Sequence, residues 1–222
     1  MASESEFLGI LAERDRHELE QIGRRSSAGR GDVLLAQGEQ ADRVLVVETG
    51  RVKVVVPHAG GGETVLSFRG PGALLGEQAL VDEAPRSADV VAVEPVEMLV
   101  VAASAFRGYL ARRPQVALAM LSVLSTRLRE SDRRLAEFAA ADALGRVCAR
   151  LVELCDAHGV GAPGGSVQIT LPITQEELAG WTGASIESTA KALRKLRSLG
   201  WIATARRAVE VRDLEALRKR AA

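Results

Sequence analysis

Thr174-Gln175-Glu176-Glu177-Leu178-Ala179-Gly180-Trp181-Thr182-Gly183-Ala184-Ser185-Ile186-Glu187-Ser188-Thr189-Ala190-Lys191-Ala192-Leu193 is the stretch that decides how this chain of 222 residues is read. Thr174 can cap a helix, and Glu177 three residues on completes a capping box in which two orphaned N–H groups find partners. Gly183 supplies a turn five residues after Leu178, and Ser185, followed by Glu187 and Ser188, starts a second helix. Small Ala179 faces that turn and lets the two helices cross closely. Two short helices so joined form a helix-turn-helix.

Working outward, Trp201-Ile202-Ala203 and Val209-Glu210-Val211, split by Arg206-Arg207, read as a two-stranded wing. Upstream, Ala143 to His158 is helical, followed by a loop over Gly159–Gly165 and a strand at Val167–Leu171. The two cysteines, Cys148 and Cys155, stand two helical turns apart, about 10 Å, too far for a disulfide. Without a nearby histidine pair they are too few for a zinc or iron–sulfur site, and they read as buried small hydrophobes. Basic and acidic residues balance at 29 each. Their distribution does not: residues 142–222 carry 12 basic and 9 acidic side chains, leaving 17 and 20 for residues 1–141. A mildly acidic front and a basic tail suggest a sensor joined to an anion-binding module.

Further upstream, from Arg24 to about Ala102, the sequence reads as short strands. Val33–Ala36, Val44–Val47, Val52–Val56, Thr64–Phe68 and Val96–Val101 are β-branched runs, separated by Gly38, Gly50, Gly60-Gly61-Gly62 and Gly70-Pro71-Gly72. Short strands at this spacing predict a sandwich or barrel. The triple glycine lacks a following Gly-Lys-Ser/Thr, so it reads as a hairpin turn and not a phosphate loop.

Between the two regions, Pro114 to Phe138 contains no glycine, and its one proline sits at the start, where it is tolerated. Ala117, Leu121, Leu124, Leu128, Ser131, Leu135 and Phe138 recur at alternating spacings of four and three, the seam of a helix pair. A second stripe, Val116, Met120 and Val123, can face the β region at the same time. The expected assembly is a homodimer through this helix.

The order of these parts resembles the bacterial cyclic-AMP receptor protein and FNR-type regulator family over essentially the whole chain. Two motifs carry the resemblance: the helix-turn-helix above, and Gly76-Glu77-Gln78-Ala79-Leu80 followed by Pro85-Arg86-Ser87-Ala88, which looks like a phosphate-binding cassette. The fold so implied is α+β. It comprises a cyclic-nucleotide-binding β-roll (jelly roll) over residues 1–113, a dimerisation helix and hinge over 114–140, and a winged helix-turn-helix DNA-binding domain over 141–222. The ligand-binding set implied is Gly76, Glu77, Gln78, Ala79, Arg86, Ser87, Ser131 and Asp132. Arg86, taken as an exposed cation, can meet a cyclic phosphate with its planar fork. Ser87 and backbone N–H groups add donors, and Glu77 can accept from a ribose hydroxyl.

Ser131 is the single polar residue in the seam, which weakens a dimer unless its hydroxyl is used. The resemblance places it where the family meets the purine, with Asp132 reaching from the partner subunit. A carboxylate at 132 departs from the commonest pattern. It can accept from adenine, or twice from the edge of guanine, or pair with Arg129 or Arg133 in solvent. Cyclic AMP therefore stands ahead of cyclic GMP only on the family's leaning.

The DNA-binding set is Thr174, Ser185, Ile186, Glu187, Ser188, Lys191, Arg194, Lys195, Arg206 and Arg207, with Arg197 as a further phosphate contact. Glu187 can accept from a cytosine amino group, and Lys191 keeps a positive donor. Ile186 stands where the family pattern has arginine; it can touch a thymine methyl but cannot make arginine's two bonds to guanine, worth about 1–3 kcal/mol of discrimination. Arg194 to Arg197 can equally form a solvated face.

Other chemistries lack their residues. No cysteine precedes Cys148, as an oxygen-sensing iron–sulfur branch would need, and His17, His58 and His158 fall at isolated positions unlike haem or metal ligands. No nucleophile–base constellation suggests an enzyme. Residues Met1 to Leu11 do not read as a signal peptide, and the apolar run Val90–Ala105 is broken by Glu94, Pro95 and Glu97, so the expected place is the cytoplasm, away from membranes. The expected partners are palindromic double-stranded DNA, a second copy and RNA polymerase. Two other functions stay open: a ligand-independent regulator of the same fold, and a nucleotide-binding signalling module that contacts protein.

Overall fold

The computed structural model describes residues 6–59, 61–205 and 207–221. In chain order the elements are α1 (Phe7–Ile10), α2 (Glu13–Ile22), β1 (Arg24–Ala28), β2 (Val33–Leu35), β3 (Arg43–Thr49), β4 (Val52–Pro57), β5 (Glu63–Arg69), β6 (Leu74–Leu75), α3 (Glu77–Val81), β7 (Asp89–Ala92), β8 (Val96–Ala102), α4 (Ala103–Arg112) and α5 (Pro114–Ala140). Then follow α6 (Ala143–His158), β9 (Gly159–Gly161), β10 (Val167–Ile169), α7 (Gln175–Thr182), α8 (Ile186–Ser198), β11 (Ile202–Ala205), β12 (Ala208–Val211) and α9 (Leu214–Ala221). The chain divides into two compact units, Met1–Ala59 with Leu66–Ser131, and Gly60–Val65 with Asp132–Ala222.

The first unit is built on two four-stranded sheets, ordered β1-β8-β3-β6 and β2-β7-β4-β5. Alternation along β3 and β8 divides their side chains between two cores. Leu45, Val47, Val96 and Met98 join Leu35, Val52, Leu75 and Val90 in one cluster. Val44, Val46, Leu99 and Val101 pack instead with Phe7, Leu19, Phe106, Tyr109, Val116, Met120 and Val123. So the second stripe of α5 is buried as expected, each large side chain contributing about 1.5–3 kcal/mol. Along the other stripe Leu121, Leu128 and Leu135 are exposed by 56%, 63% and 73%.

The second unit packs α6 against α7, α8 and α9 over a four-stranded sheet, ordered β11-β12-β10-β9. Val147, Leu151, Leu154, Leu178, Leu193, Leu196 and Leu217 form its interior. Cys148 and Cys155 are buried on α6, and that burial pushes each thiol up to about 11. The end of α5 belongs here. Arg150 is buried between Glu137 of α5 and Glu153 of α6, and both acids also hold Arg133. Phe138, expected in the seam, lies under the Arg146 guanidinium at 4.6 Å and against Gly183. No described helix is long and apolar enough to cross a membrane.

Candidate functional site

Gly76 ends β6 with φ 80°, a left-handed conformation that favours glycine. A Cβ there would come within 2.6 Å of Arg86 Nη1 and 2.9 Å of Leu35 Cδ1, so the residue is fixed by space as well as by backbone. The turn opens α3, which buries Glu77 and Ala79 and leaves Gln78 exposed.

Arg86 returns to this turn from the loop before β7. Contrary to the sequence expectation it is not an exposed cation, being 4% accessible. The side chain is held by backbone acceptors. Nη1 donates to the Gly76 carbonyl at 2.7 Å and Nη2 to the Arg43 carbonyl at 2.5 Å. Asp42 lies 3.6 Å away. Burial lowers the guanidinium pKa from its ordinary value, and the Asp42 charge partly offsets that. Nε is buried without any hydrogen-bond partner. A buried donor left unmade costs about 1–3 kcal/mol, and an oxygen-rich anion at the turn would remove that cost. Ser87, next in the chain, is exposed.

Glu77 has a partner that sequence reasoning missed. Arg127, from the long helix α5, donates from Nη1 to Glu77 Oε1 at 2.6 Å and from Nη2 to the Leu74 carbonyl at 2.9 Å. Its Nε is also buried and unpartnered. Thus two guanidiniums, from the loop and from the helix, converge on residues 74–77, each with its Nε–H unpartnered. Ser131 lies one turn beyond Arg127, about 6 Å along the axis. Its hydroxyl is exposed and donates to the Arg127 carbonyl at 3.0 Å. Asp132 is exposed, and neither suggested partner holds it: Arg129 is engaged by Ser125 and Thr126, Arg133 by Glu137 and Glu153.

The helix-turn-helix lies in the second unit. The capping box is present, with Thr174 N–H donating to Glu177 Oε2 at 2.8 Å and Glu177 N–H to Thr174 Oγ1 at 3.1 Å. Thr174 Oγ1 therefore accepts within the helix and keeps its O–H as a donor. Gly183 adopts φ 58°, and a Cβ would sit 2.2 Å from the Phe138 ring. Ser185 caps α8 by accepting from the Ser188 N–H at 3.1 Å. Thr189, Ala192, Leu193 and Leu196 form the buried face of α8. Ile186, Glu187, Ser188, Lys191, Arg194, Lys195 and Arg197 are all exposed on the other side. Arg197 donates to Thr204 Oγ1 of β11 at 3.0 Å. Arg207 occupies a left-handed turn (φ 57°) in the wing and is exposed. Arg206, like Gly60 of the triple-glycine turn, lies outside the described residues.

A β-roll with an arginine-bearing turn, carried on one chain with a winged helix-turn-helix, defines a sensor linked to a DNA-binding module. Comparison with known proteins agrees. Residues 25–113 match the cyclic nucleotide-binding domain family, and residues 145–220 match the Crp-like helix-turn-helix domain family. The CRP-like cAMP-activated global transcriptional regulator of Mycobacterium tuberculosis is 34% identical over 192 residues, 86% of this chain and 85% of that protein. The cyclic AMP receptor protein of Thermus thermophilus is 33% identical over 184 residues, 83% and 82% of the two chains. Among solved structures, the c-di-GMP responsive global regulator CLP of Xanthomonas campestris shares the fold, with a TM-score of 0.81 at 21% identity, covering 90% of this chain and 99% of that one. The chain belongs to the CRP-like family of transcriptional regulators.

Proposed function

We propose that the chain is a homodimeric transcriptional regulator that binds a cyclic nucleotide in its β-roll and palindromic double-stranded DNA through its winged helix-turn-helix. Residues 1–113 are the sensor, 114–140 the dimerisation helix and 141–222 the DNA-binding domain. The observation that carries this reading is the buried Arg86 with an unspent Nε–H, beside a buried carboxylate, at a turn only glycine can make. Arg86, with Ser87 and the N–H groups of Gly76 to Ala79, is assigned the cyclic phosphate, and Gln78 the mouth of the site. Glu77, held by Arg127, is assigned the ribose hydroxyl.

Ser131 and the partner subunit's Asp132 are assigned the base. Cyclic AMP is the favoured ligand, because both relatives described above carry that nucleotide in their names. The exposed leucine stripe of α5 supports a second copy as its cover, since a chain alone would leave those side chains in water. On α8, Ile186, Glu187, Ser188 and Lys191 are assigned the base edges. Thr174, Ser185, Arg194, Lys195, Arg197, Arg206 and Arg207 are assigned the phosphates. RNA polymerase in the cytoplasm is the expected further partner, and no catalysis is assigned.

Nucleotide can act only by binding the DNA-competent arrangement more tightly than any other. Calorimetric titration with cyclic AMP and cyclic GMP, paired with DNA-binding curves in each, tests the reading. Saturable binding of one nucleotide with stronger DNA affinity is the expected result. DNA binding indifferent to both would leave a ligand-independent regulator, and nucleotide binding without DNA affinity at low salt would leave a signalling module.

A further inference from the structure

The helix α5 runs without interruption from Pro114 to Ala140, yet its residues divide between the two units after Ser131. Its last turns are held in the second unit by a cluster of charges around one indole. Arg150 of α6 is buried and ion-paired with Glu137 of α5 and with Glu153 of its own helix, the latter at 2.9 Å. Arg133 meets the same two acids, and Arg134 lies 3.6 Å from Glu153. The Arg134 and Arg150 guanidiniums each stand 5.6 Å from the centre of the Trp181 ring, on the first helix of the helix-turn-helix. A second clasp sits at the break between α5 and α6. There Arg146, over the Phe138 ring, donates from Nε to the Thr182 carbonyl at 2.8 Å and from Nη1 to the Ala141 carbonyl at 2.7 Å. Asp142 caps α6 through the Gly145 N–H at 2.8 Å and is held by Arg220 of α9 at 2.6 Å. Tied in this way to α6, α7 and α9, the break is not a free hinge.

We propose that the flexible joint of the chain lies inside α5, at Ser131, and that Trp181 and Arg150 lock residues 132–222 into one piece that turns about it. A buried ion cluster adds little stability over apolar packing of the same volume, but it fixes one geometry, because a charge moved from its partners is left buried and unpaired. The Trp181 face offers two guanidiniums an attraction that an aliphatic side chain does not supply. At Ser131 the side chain does the opposite. Its hydroxyl donates to the Arg127 carbonyl at 3.0 Å, one turn back, and such back-bonding weakens and bends a helix. A turn at Ser131 carries the recognition helix α8 with the locked piece, while Arg127, on the near side, stays with Glu77. The regulatory consequence rests on the nucleotide reading above: a base that contacts Ser131 and Asp132 grips the joint itself.

Amide hydrogen exchange on the full chain without nucleotide tests the joint apart from that reading. In the wild type, residues 133–142 should be protected like α6, and residues 128–132 should exchange about tenfold faster. Trp181→Leu, which keeps apolar bulk without an aromatic face, should speed exchange of 133–142 about tenfold and leave α8 protected. Arg150→Met, which leaves Glu137 and Glu153 paired with Arg133, should do the same. Trp181→Phe keeps a face for both guanidiniums and should retain the wild-type pattern, whereas Ser131→Ala should slow exchange at 128–132. Uniform protection from 114 to 142 in the wild type would overturn the proposal, as would equal exchange in Trp181→Leu and Trp181→Phe. So would loss of protection in α6 to α8 together with 133–142, which would make Trp181 a residue of stability alone. DNA-binding curves with and without cyclic AMP add the coupling. Trp181→Leu should lower the nucleotide-induced gain in DNA affinity about fivefold at unchanged nucleotide affinity, and an unreduced gain would count equally against the lock. A wild type whose DNA affinity ignores cyclic AMP would sink the nucleotide reading and not the joint, which the exchange pattern decides.

Discussion

Arg86 donates to two backbone carbonyls, Arg127 to one carbonyl and to the Glu77 carboxylate, and each keeps a buried Nε–H without a hydrogen-bond partner. Arg86→Lys should test the first of them better than alanine. Alanine would orphan two carbonyls and open a void, since the side chain is buried and contributes packing. Lysine keeps the charge but not the fork, so cyclic nucleotide affinity should fall at least tenfold, about 1.4 kcal/mol, with the thermal transition still cooperative. Undiminished affinity would remove the cassette from the ligand site. The cysteines give a pH prediction. Their folded pKa near 11 lies above the ordinary value of about 8.5. Between those values the unfolded chain has lost thiol protons that the folded chain retains, so stability falls as pH rises through that window. Urea midpoints at pH 8 and pH 10 should differ more in the wild type than in a Cys148→Ala/Cys155→Ala variant. An equal difference in both would assign the pH dependence to other groups.

At the scale of elements, α5 carries two faces with opposite fates, and both are written in its spacing. Val116, Met120 and Val123 are buried in their own unit, while Leu121, Leu128 and Leu135 face outward. Replacing the outward-facing Leu121 and Leu128 with glutamate should therefore yield monomers, because an assembled seam would bury unpaired charges. Sedimentation as an unchanged dimer would move the interface to another surface. The strands rich in valine were equally legible, since β-branched runs between glycines have few other readings. Arg24–Ala28 was not, because its inward positions carry arginine, serine and alanine and give no apolar alternation. Nor were the two short strands Leu74–Leu75 and Gly159–Gly161, which are defined only by their partners β3 and β10. The same limit hid Arg127 and Arg150. An arginine on a helix reads as a solvated charge until the fold sets Glu77, or Glu137 and Glu153, beside it. Phe138 fits the seam by period and stays half exposed, yet one edge of its ring packs against the turn at Gly183, a contact separated by too much sequence for any local pattern to show.

For the molecule as a whole, charges cancel, 29 against 29, so affinity for DNA has to come from where the charges sit. Residues 188–222 hold 10 basic and 3 acidic side chains, and the exposed face of α8 presents Lys191, Arg194, Lys195 and Arg197. Two such helices, one per subunit, would need a separation of about 34–36 Å to enter successive major grooves. Phosphate-facing and base-facing positions then predict different signatures. Lys195→Ala should weaken binding to every sequence alike and reduce the slope of log affinity against log salt by about 0.9 for each phosphate no longer neutralised. Ile186→Arg should alter the selected sequence at one base pair per half-site, toward guanine and by about 1–3 kcal/mol, with little change of preference elsewhere. Ile186 is 54% exposed at the first turn of α8, so the longer side chain meets no core and the fold should persist. Selection from random DNA, followed by salt titrations on the winning site, reads both effects in one series. An unchanged motif in Ile186→Arg, together with an undiminished slope in Lys195→Ala, would mean that α8 does not enter the groove. DNA binding would then have to be sought on the wing or on α9, which carries Arg218, Lys219 and Arg220 in its last turn.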